Sequence, residues 1–531
     1  MFKSVRQSMA WLHSWIGLLL GWLLLAIFIT GSVTYYRHEI STWMQPQFAS
    51  MQIQQDIAVR SAFDYLQTNA ADAKSWYIGV ANTDVPVNKI YWQKADGAYE
   101  SKTLDANTGK ELNLSATQGG DFFYNFHYQL YGMPYLIGRL IVTLAALVMF
   151  ITLISGIITH KKIFTDFFTL RAFKGQRSYL DFHNVSAVLA LPFFLTVTFT
   201  GLAIFFYIIF PTGMKKLYSD NPFQYFEEIR TVSTTLDEAT ANKAPMLPID
   251  YFLKQTQQRW GNSELDNITV KQPNTQLASL TITERKDQSI TRNQAQLSFN
   301  AQNGKLLGDT RNHSVIATLN AGVYGLHMAH FAQPILRLAF FFSGILGCAM
   351  IASGLLLWSL KRQIQNKTNR FHFGHYLVNR LNIAAIIGLP IAMLSYLYVN
   401  RLVQIQTDGP NYEIYSFFIV WLMGFLFALI TPQQYLWKSQ LKLFICLALA
   451  LPILNIYYLI SNYYINSIQQ YWTFLRVDLM IVLFAVLAIF LHRKIVPIQQ
   501  KATAKIQQKL QKNGLNAVNE PNRSYQSEST E

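Results

Sequence analysis

Long apolar runs and polar stretches alternate along the chain, and the pattern predicts eight membrane spans. The first four runs are Trp15–Tyr36, Pro134–Thr159, His183–Phe210 and Pro334–Leu360. Four more follow near Leu381–Tyr398, Tyr415–Ile430, Leu441–Ile460 and Phe474–Leu491. Two polar regions, about 40–120 and 211–324, interrupt the first four. In the first, Asp56–Asn69 has helical spacing with Ile57, Phe63 and Leu66 apolar, followed by strand-like runs at Ser75–Ala81, Asn88–Gln93 and Glu100–Leu104. The second predicts a helix near Ile249–Trp260 and strands near Ile268–Lys271, Leu277–Thr283 and Ala295–Asn300. Both regions read as small α+β modules outside the membrane.

The pattern repeats. Leu12-His13-Ser14-Trp15 leads to Thr30-Gly31, and Phe182-His183-Asn184-Val185 leads to Thr200-Gly201, with 17 residues from histidine to threonine in each. On a helix rising about 1.5 Å per residue this is roughly 25 Å, most of a hydrocarbon core of about 30 Å. His127 corresponds to His327, and Pro134 to Pro334, seven residues on in both cases. Arg139 and Arg337 correspond two positions out of register. Ser155-Gly156 matches Ser353-Gly354, where His160 in one copy faces Trp358 in the other. Asp105-Ala106-Asn107-Thr108-Gly109-Lys110 aligns with Asn300-Ala301-Gln302-Asn303-Gly304-Lys305, a strand–turn–strand phrase. Residues 1–165 and 175–362 are therefore two copies of span, outer module, span, in parallel topology. Residues 378–492 add four spans, and 493–531 form a basic, partly disordered tail. The fold class expected is a mainly α membrane protein: a four-helix bundle from two parallel repeats, each with an α+β module, plus four extra C-terminal helices.

Composition agrees with a membrane chain, since 51% of residues are hydrophobic and only 14% charged. The net charge of +15 invites a nucleic-acid reading, but the bases flank the apolar spans as the positive-inside rule requires. Lys3 and Arg6, then Arg171, Lys174 and Arg177, then Lys361 and Arg362, and Lys438 and Lys442 put both termini in the cytoplasm. No small-x-small cleavage site follows the first span, which reads as uncleaved. The two cysteines, Cys348 and Cys446, lie in apolar runs and form no Cys-x-x-Cys-His motif, so any haem is held non-covalently.

Eleven histidines remain as candidate chemistry. Neutral imidazole is a good axial ligand for haem iron, and two such ligands leave no open position, which suits electron transfer. A haem on the pseudo-twofold axis takes equivalent ligands from each copy: His13 with His183 on the inner side, His127 with His327 on the outer. His160 has no histidine mate and could replace an inner ligand or sit over the haem edge. His330, one turn past His327, could replace it. A lone histidine at a membrane edge is usually an interfacial residue, and His38, His372, His375 and His492 are read so. Zinc would need a third or fourth ligand and a nearby acid or thiolate. Arg139 and Arg337 either contact haem propionates or snorkel to the outer surface. The Thr-Gly and Ser-Gly pairs permit close helix approach or leave room for a flat ring.

Leu12-His13-Ser14-Trp15-Ile16-Gly17 through Thr30-Gly31 resembles the opening of PepSY-associated transmembrane proteins. So do Phe126-His127-Tyr128-Gln129-Leu130, Asp181-Phe182-His183-Asn184-Val185 and Gly325-Leu326-His327, while the Asp-Ala-Asn-Thr-Gly-Lys phrase resembles the end of a PepSY-like module. The resemblance spans roughly residues 5–365 and departs at Asn184-Val185-Ser186-Ala187, where glycine is usual after the histidine. It implies a bacterial inner-membrane protein with two b-type haems that passes electrons across the membrane. The implied role is ferric-siderophore reductase-like reduction of a periplasmic ferric chelate in iron acquisition. His13, His127, His160, His183 and His327 fall on the family's histidine positions. The electron donor on the cytoplasmic side is unidentified: no nicotinamide or flavin fingerprint occurs, so it binds elsewhere or is a separate protein or a quinol. The alternative from another class is a haem-free scaffold or transport component whose outer modules bind or regulate a partner.

Overall fold

A computed structural model describes residues 4–51, 53–160, 176–218, 225, 242–285, 289–291, 294–310, 315–365, 371–403, 411–463 and 468–512. Arg171 and Lys174 of the basic loop, His313, Asp408 and the last residues of the tail lie outside the described residues.

The first copy runs through α1 (Val5–Thr34), α2 (Arg37–Met44), α3 (Gln55–Asn69), β1 (Ser75–Gly79), β2 (Val87–Gln93), β3 (Tyr99–Asp105), α4 (Asp121–Gln129) and α5 (Tyr135–Thr159). The second has α6 (Gln176–Leu189), α7 (Leu191–Ile204), short α8 (Phe206–Ile209) and α9 (Pro211–Leu217), α10 (Ile249–Trp260), β4 (Leu265–Lys271), β5 (Ser279–Glu284), β6 (Gln296–Asn300), β7 (Leu306–Thr310), α11 (Val315–Met328) and α12 (Pro334–Gln365). The C-terminal unit comprises α13 (Phe373–Ile383), a π-helical turn at Ala384–Gly388, α14 (Leu389–Leu402), α15 (Tyr412–Ile430), α16 (Gln433–Tyr463) and α17 (Ile468–Lys512).

Among the described residues seven helices are long and apolar enough to cross a membrane, making this a multi-pass membrane protein. The eighth expected span is instead the pair α6 and α7, bent by 67° at Ala190. Pro192 explains the break: it has no N–H to continue α6, and its fixed φ suits the first turn of a new helix. Inside the four-helix unit, Leu24, Leu25 and Ile27 of α1 pack with Val142, Ala145 and Met149 of α5, Phe194 of α7 and Ile351 and Leu355 of α12. Residues 513–531 lie outside the described residues, and up to Lys512 the tail is the continuation of α17. Its Ala-, Gln- and Lys-rich sequence has high helix propensity.

The two outer modules are not separate. Their strands form one seven-stranded sheet in the order β3-β2-β1-β4-β5-β6-β7. The first strands of the two copies meet antiparallel at its centre, with Tyr77 opposite Thr269. Alternation in β1 buries Trp76 and Ile78 on one face, and both α3 and α10 cover that face through Phe63, Leu66, Phe252 and Leu253. The repeated turn phrase closes alike in both copies. Gly109 and Gly304 have φ of +67° and +73°, and Asp105 Oδ1 and Asn300 Oδ1 accept backbone N–H groups two and three residues on.

The C-terminal unit docks on the first copy through a buried polar network. Arg401 Nε donates to Asn455 Oδ1 at 2.8 Å and Nη1 to Asn400 Oδ1 at 2.6 Å, while Nη2 donates to the Trp43 carbonyl. Asn400 and Thr117 donate to the two oxygens of Glu413, at 2.7 and 2.6 Å. Asp478 accepts from Trp43 Nε1 at 3.0 Å and from Asn455 at 2.8 Å. Trp43 and Thr117 belong to the first copy, so the bonds of Arg401 and Asp478 to Trp43 and of Glu413 to Thr117 join the two units.

Candidate functional site

The bundle brings four of the candidate histidines together as two pairs. The rings of His13 on α1 and His183 on α6 lie 6.1 Å apart, centre to centre. Those of His127 on α4 and His327 on α11 lie 6.2 Å apart. Each pair takes one ring from each copy. A metal between two imidazoles, with metal–nitrogen bonds of about 2.0–2.1 Å and ring centres about 1 Å behind each nitrogen, places the centres about 6 Å apart. The spacing fits one iron held between two facing rings.

One local rule holds all four rings. His13 Nδ1 is 2.9 Å from the Thr152 carbonyl, His127 Nδ1 is 2.8 Å from that of Ile27, and His183 Nδ1 is 2.8 Å from that of Met350. His327 Nδ1 is 3.1 Å from Thr200 Oγ1 and bonds the Val197 backbone. Each of these backbone groups sits four residues before a glycine: Gly156, Gly31, Gly354 and Gly201. The residue just before each glycine, Ser155, Thr30, Ser353 or Thr200, turns its hydroxyl back onto the same carbonyl, at 2.9–3.2 Å. The glycine then gives the ring its seat. A Cβ would come within 2.6 Å of the His127 ring at Gly31, 3.0 Å of His327 at Gly201, 3.1 Å of His183 at Gly354 and 3.3 Å of His13 at Gly156. Within each copy the arrangement is reciprocal: α1 carries His13 and the seat for His127, and α5 carries the seat for His13.

The consequence is chemical. A carbonyl only accepts, so Nδ1 carries the proton and Nε2 keeps its lone pair. That is the tautomer an axial ligand needs, fixed by an outer partner as metal-bound histidines commonly are. Sequence reading singled out the four Ser/Thr-Gly pairs but assigned them to helix packing or ring clearance. Their second role, presenting a carbonyl, depends on which helix faces which.

The remaining candidates take other positions. His160 caps the end of α5, and its Nε2 accepts from Asn184 Nδ2 at 2.8 Å, so it flanks the inner pair while His13 and His183 face each other. On the outer side the ring facing His127 is that of His327, and His330 lies half-buried in the turn after α11. Arg139 donates to Gln129 at 3.3 Å and lies over Tyr128 and Tyr135, while Arg337 pairs with Glu39 and lies over Tyr36. Both arginines keep a buried Nε with no hydrogen-bond partner. That is an unmet donor in each copy at corresponding positions. Among the described residues no three His, Cys, Asp or Glu side chains gather to hold an ion, so a zinc centre lacks its further ligands there.

No curated protein matches the chain significantly. The family described as PepSY-associated TM region matches residues 10–361, which takes in both copies and all four paired histidines. On that match, the chain belongs to the PepSY-associated TM region family.

Proposed function

We propose that this protein is a dihaem b-type electron carrier of the bacterial inner membrane that reduces a periplasmic ferric chelate in iron acquisition, in the manner of ferric-siderophore reductases. His13 and His183 would hold an inner haem, and His127 and His327 an outer one. When bound, each haem would supply a one-electron ferric/ferrous couple. The chain's own task is orientation. The four backbone partners hold a proton on each Nδ1 and aim each ring, while the glycine seats let the rings lie flush against the facing helix. The unpartnered Nε groups of Arg139 and Arg337 suit the carboxylates of an outer haem, which they would bind by charge-assisted hydrogen bonds. Reduction weakens the grip of a hard oxygen-donor chelate on its iron, which releases the metal for uptake.

The observation that carries this reading is the fourfold recurrence of one histidine–carbonyl–glycine arrangement, arranged as two facing pairs. A reduced-minus-oxidised visible spectrum of the purified full-length protein tests it. Bands of b-type haem are expected. A colourless, well-folded protein contradicts the reading and leaves the haem-free scaffold in its place.

A further inference from the structure

At the end of the bundle that holds the inner pair, a cluster of aromatic rings reaches the surface. Trp358 lies one helical turn past Gly354, the seat of His183. Its indole packs edge-on against Trp15, at 5.8 Å, and against His375 of α13, at 6.0 Å. The His375 and His372 rings are 5.2 Å apart. The guanidinium of Arg362 covers Trp358 at 4.1 Å and Trp15 at 5.4 Å. Trp15 is 44% exposed, and His372 is exposed at the cap of α13. Tryptophan at this depth marks a headgroup interface.

The internal repeat supplies a control. The other copy has Val185 where Trp15 stands and His160 where Trp358 stands, with Asn184 bonded to that histidine. Holding the inner pair therefore does not require the two indoles. They occur only on the side where α13 of the C-terminal unit packs, and that seam is pinned by Trp22 Nε1 donating to Asn382 at 2.9 Å and by Ser359 bonding Asn379. An aromatic belt alone would not need a guanidinium over both indoles or two neighbouring imidazoles behind them.

We propose that Trp15, Trp358, Arg362 and His375 form the binding site for the headgroup of a membrane quinol, the electron donor of the reading above, on which this proposal rests. A planar ring packs against the indoles, the guanidinium attracts the hydroxyl oxygen as it loses its proton, and His375 accepts that proton and passes it to His372 and solvent. The balance closes: one quinol becomes one quinone, its two O–H bonds break, two protons leave by the imidazoles, and two electrons reduce two ferric haem irons. A protein donor would hand over electrons alone and would have no use for the imidazole pair. The site also gives the C-terminal unit a role, because it supplies the proton acceptors.

The test uses the full-length protein in detergent. A short-chain quinol is expected to reduce the haems, and a short-chain quinone to quench tryptophan fluorescence saturably. His375→Gln should slow reduction by quinol about a hundredfold while dithionite still reduces both haems. Arg362→Gln should weaken quinone binding with the dithionite-reduced spectrum unchanged, which shows the variant is folded. The proposal is overturned if dithionite reduces the wild-type haems and quinol does not, or if both variants react with quinol at the wild-type rate. Reduction only by an acidic redox protein, at a rate that falls with salt, overturns it as well. A colourless protein that still binds quinone saturably overturns the haem reading and supports the quinone site.

Discussion

At the scale of single residues, the four glycines behave as graded probes. Gly31→Ala puts a Cβ 2.6 Å from the His127 ring, whereas Gly156→Ala puts one 3.3 Å from His13. The first must displace its ring, and the second needs a shift of a few tenths of an ångström. Gly31→Ala should therefore lower occupancy of the outer haem strongly and Gly156→Ala should lower the inner one only slightly, read as haem per protein by pyridine haemochrome assay. Equal loss in both would show that the seats do not set the ring positions. His38, outside the spans, gives a pH expectation. Burial, reinforced by Arg37, lowers its pKa below the usual 6.5, and Arg37 Nε donates to its Nε2 at 3.3 Å, which requires the neutral ring. The unfolded chain then binds the proton more readily, so this contribution to stability is complete above about pH 6.5 and declines as pH falls below it. Thermal melts of His38→Gln should lose that part of the acid sensitivity. The histidines were legible in the sequence because the repeat singled them out. Their carbonyl partners were not, because Thr152, Ile27, Met350 and Val197 carry no side-chain signal for the role.

At the scale of elements, the strands and the turn phrase could be read from alternation and from Asn and Gly. That β1 and β4 join the two modules could not, because alternation fixes which face of a strand is buried and not which edge it offers. Pro192 was visible, yet the apolar run through it hid the bend between α6 and α7. The apolar pattern of the fifth span ended at Tyr398, which left Asn400 and Arg401 at its edge; in the fold both are buried, and Arg401 bonds the Trp43 carbonyl across the two units. Removing one partner of such a buried network strands the others, at a cost of about 3–5 kcal/mol. Arg401→Met should lower the unfolding temperature in detergent markedly, and Asn462→Ala, on the exposed side of α16, should not. An unchanged melt in Arg401→Met would mean that the network does not secure the C-terminal unit.

At the scale of the whole molecule, the two copies produce a bundle with two levels and a single outer sheet. His13 and the seat of His127 at Gly31 lie 18 residues apart on α1, which separates the levels by about 27 Å along the helix. The separation suits transfer between two sites rather than a single shared one. The central claim is that the histidines work as two cross-copy pairs, and counting haem in four single variants tests it most directly. His13→Ala and His183→Ala should each lose the same haem and keep the other, while His127→Ala and His327→Ala should each lose the one that those two keep. Loss of the inner haem in His160→Ala with both haems retained in His13→Ala would contradict the account.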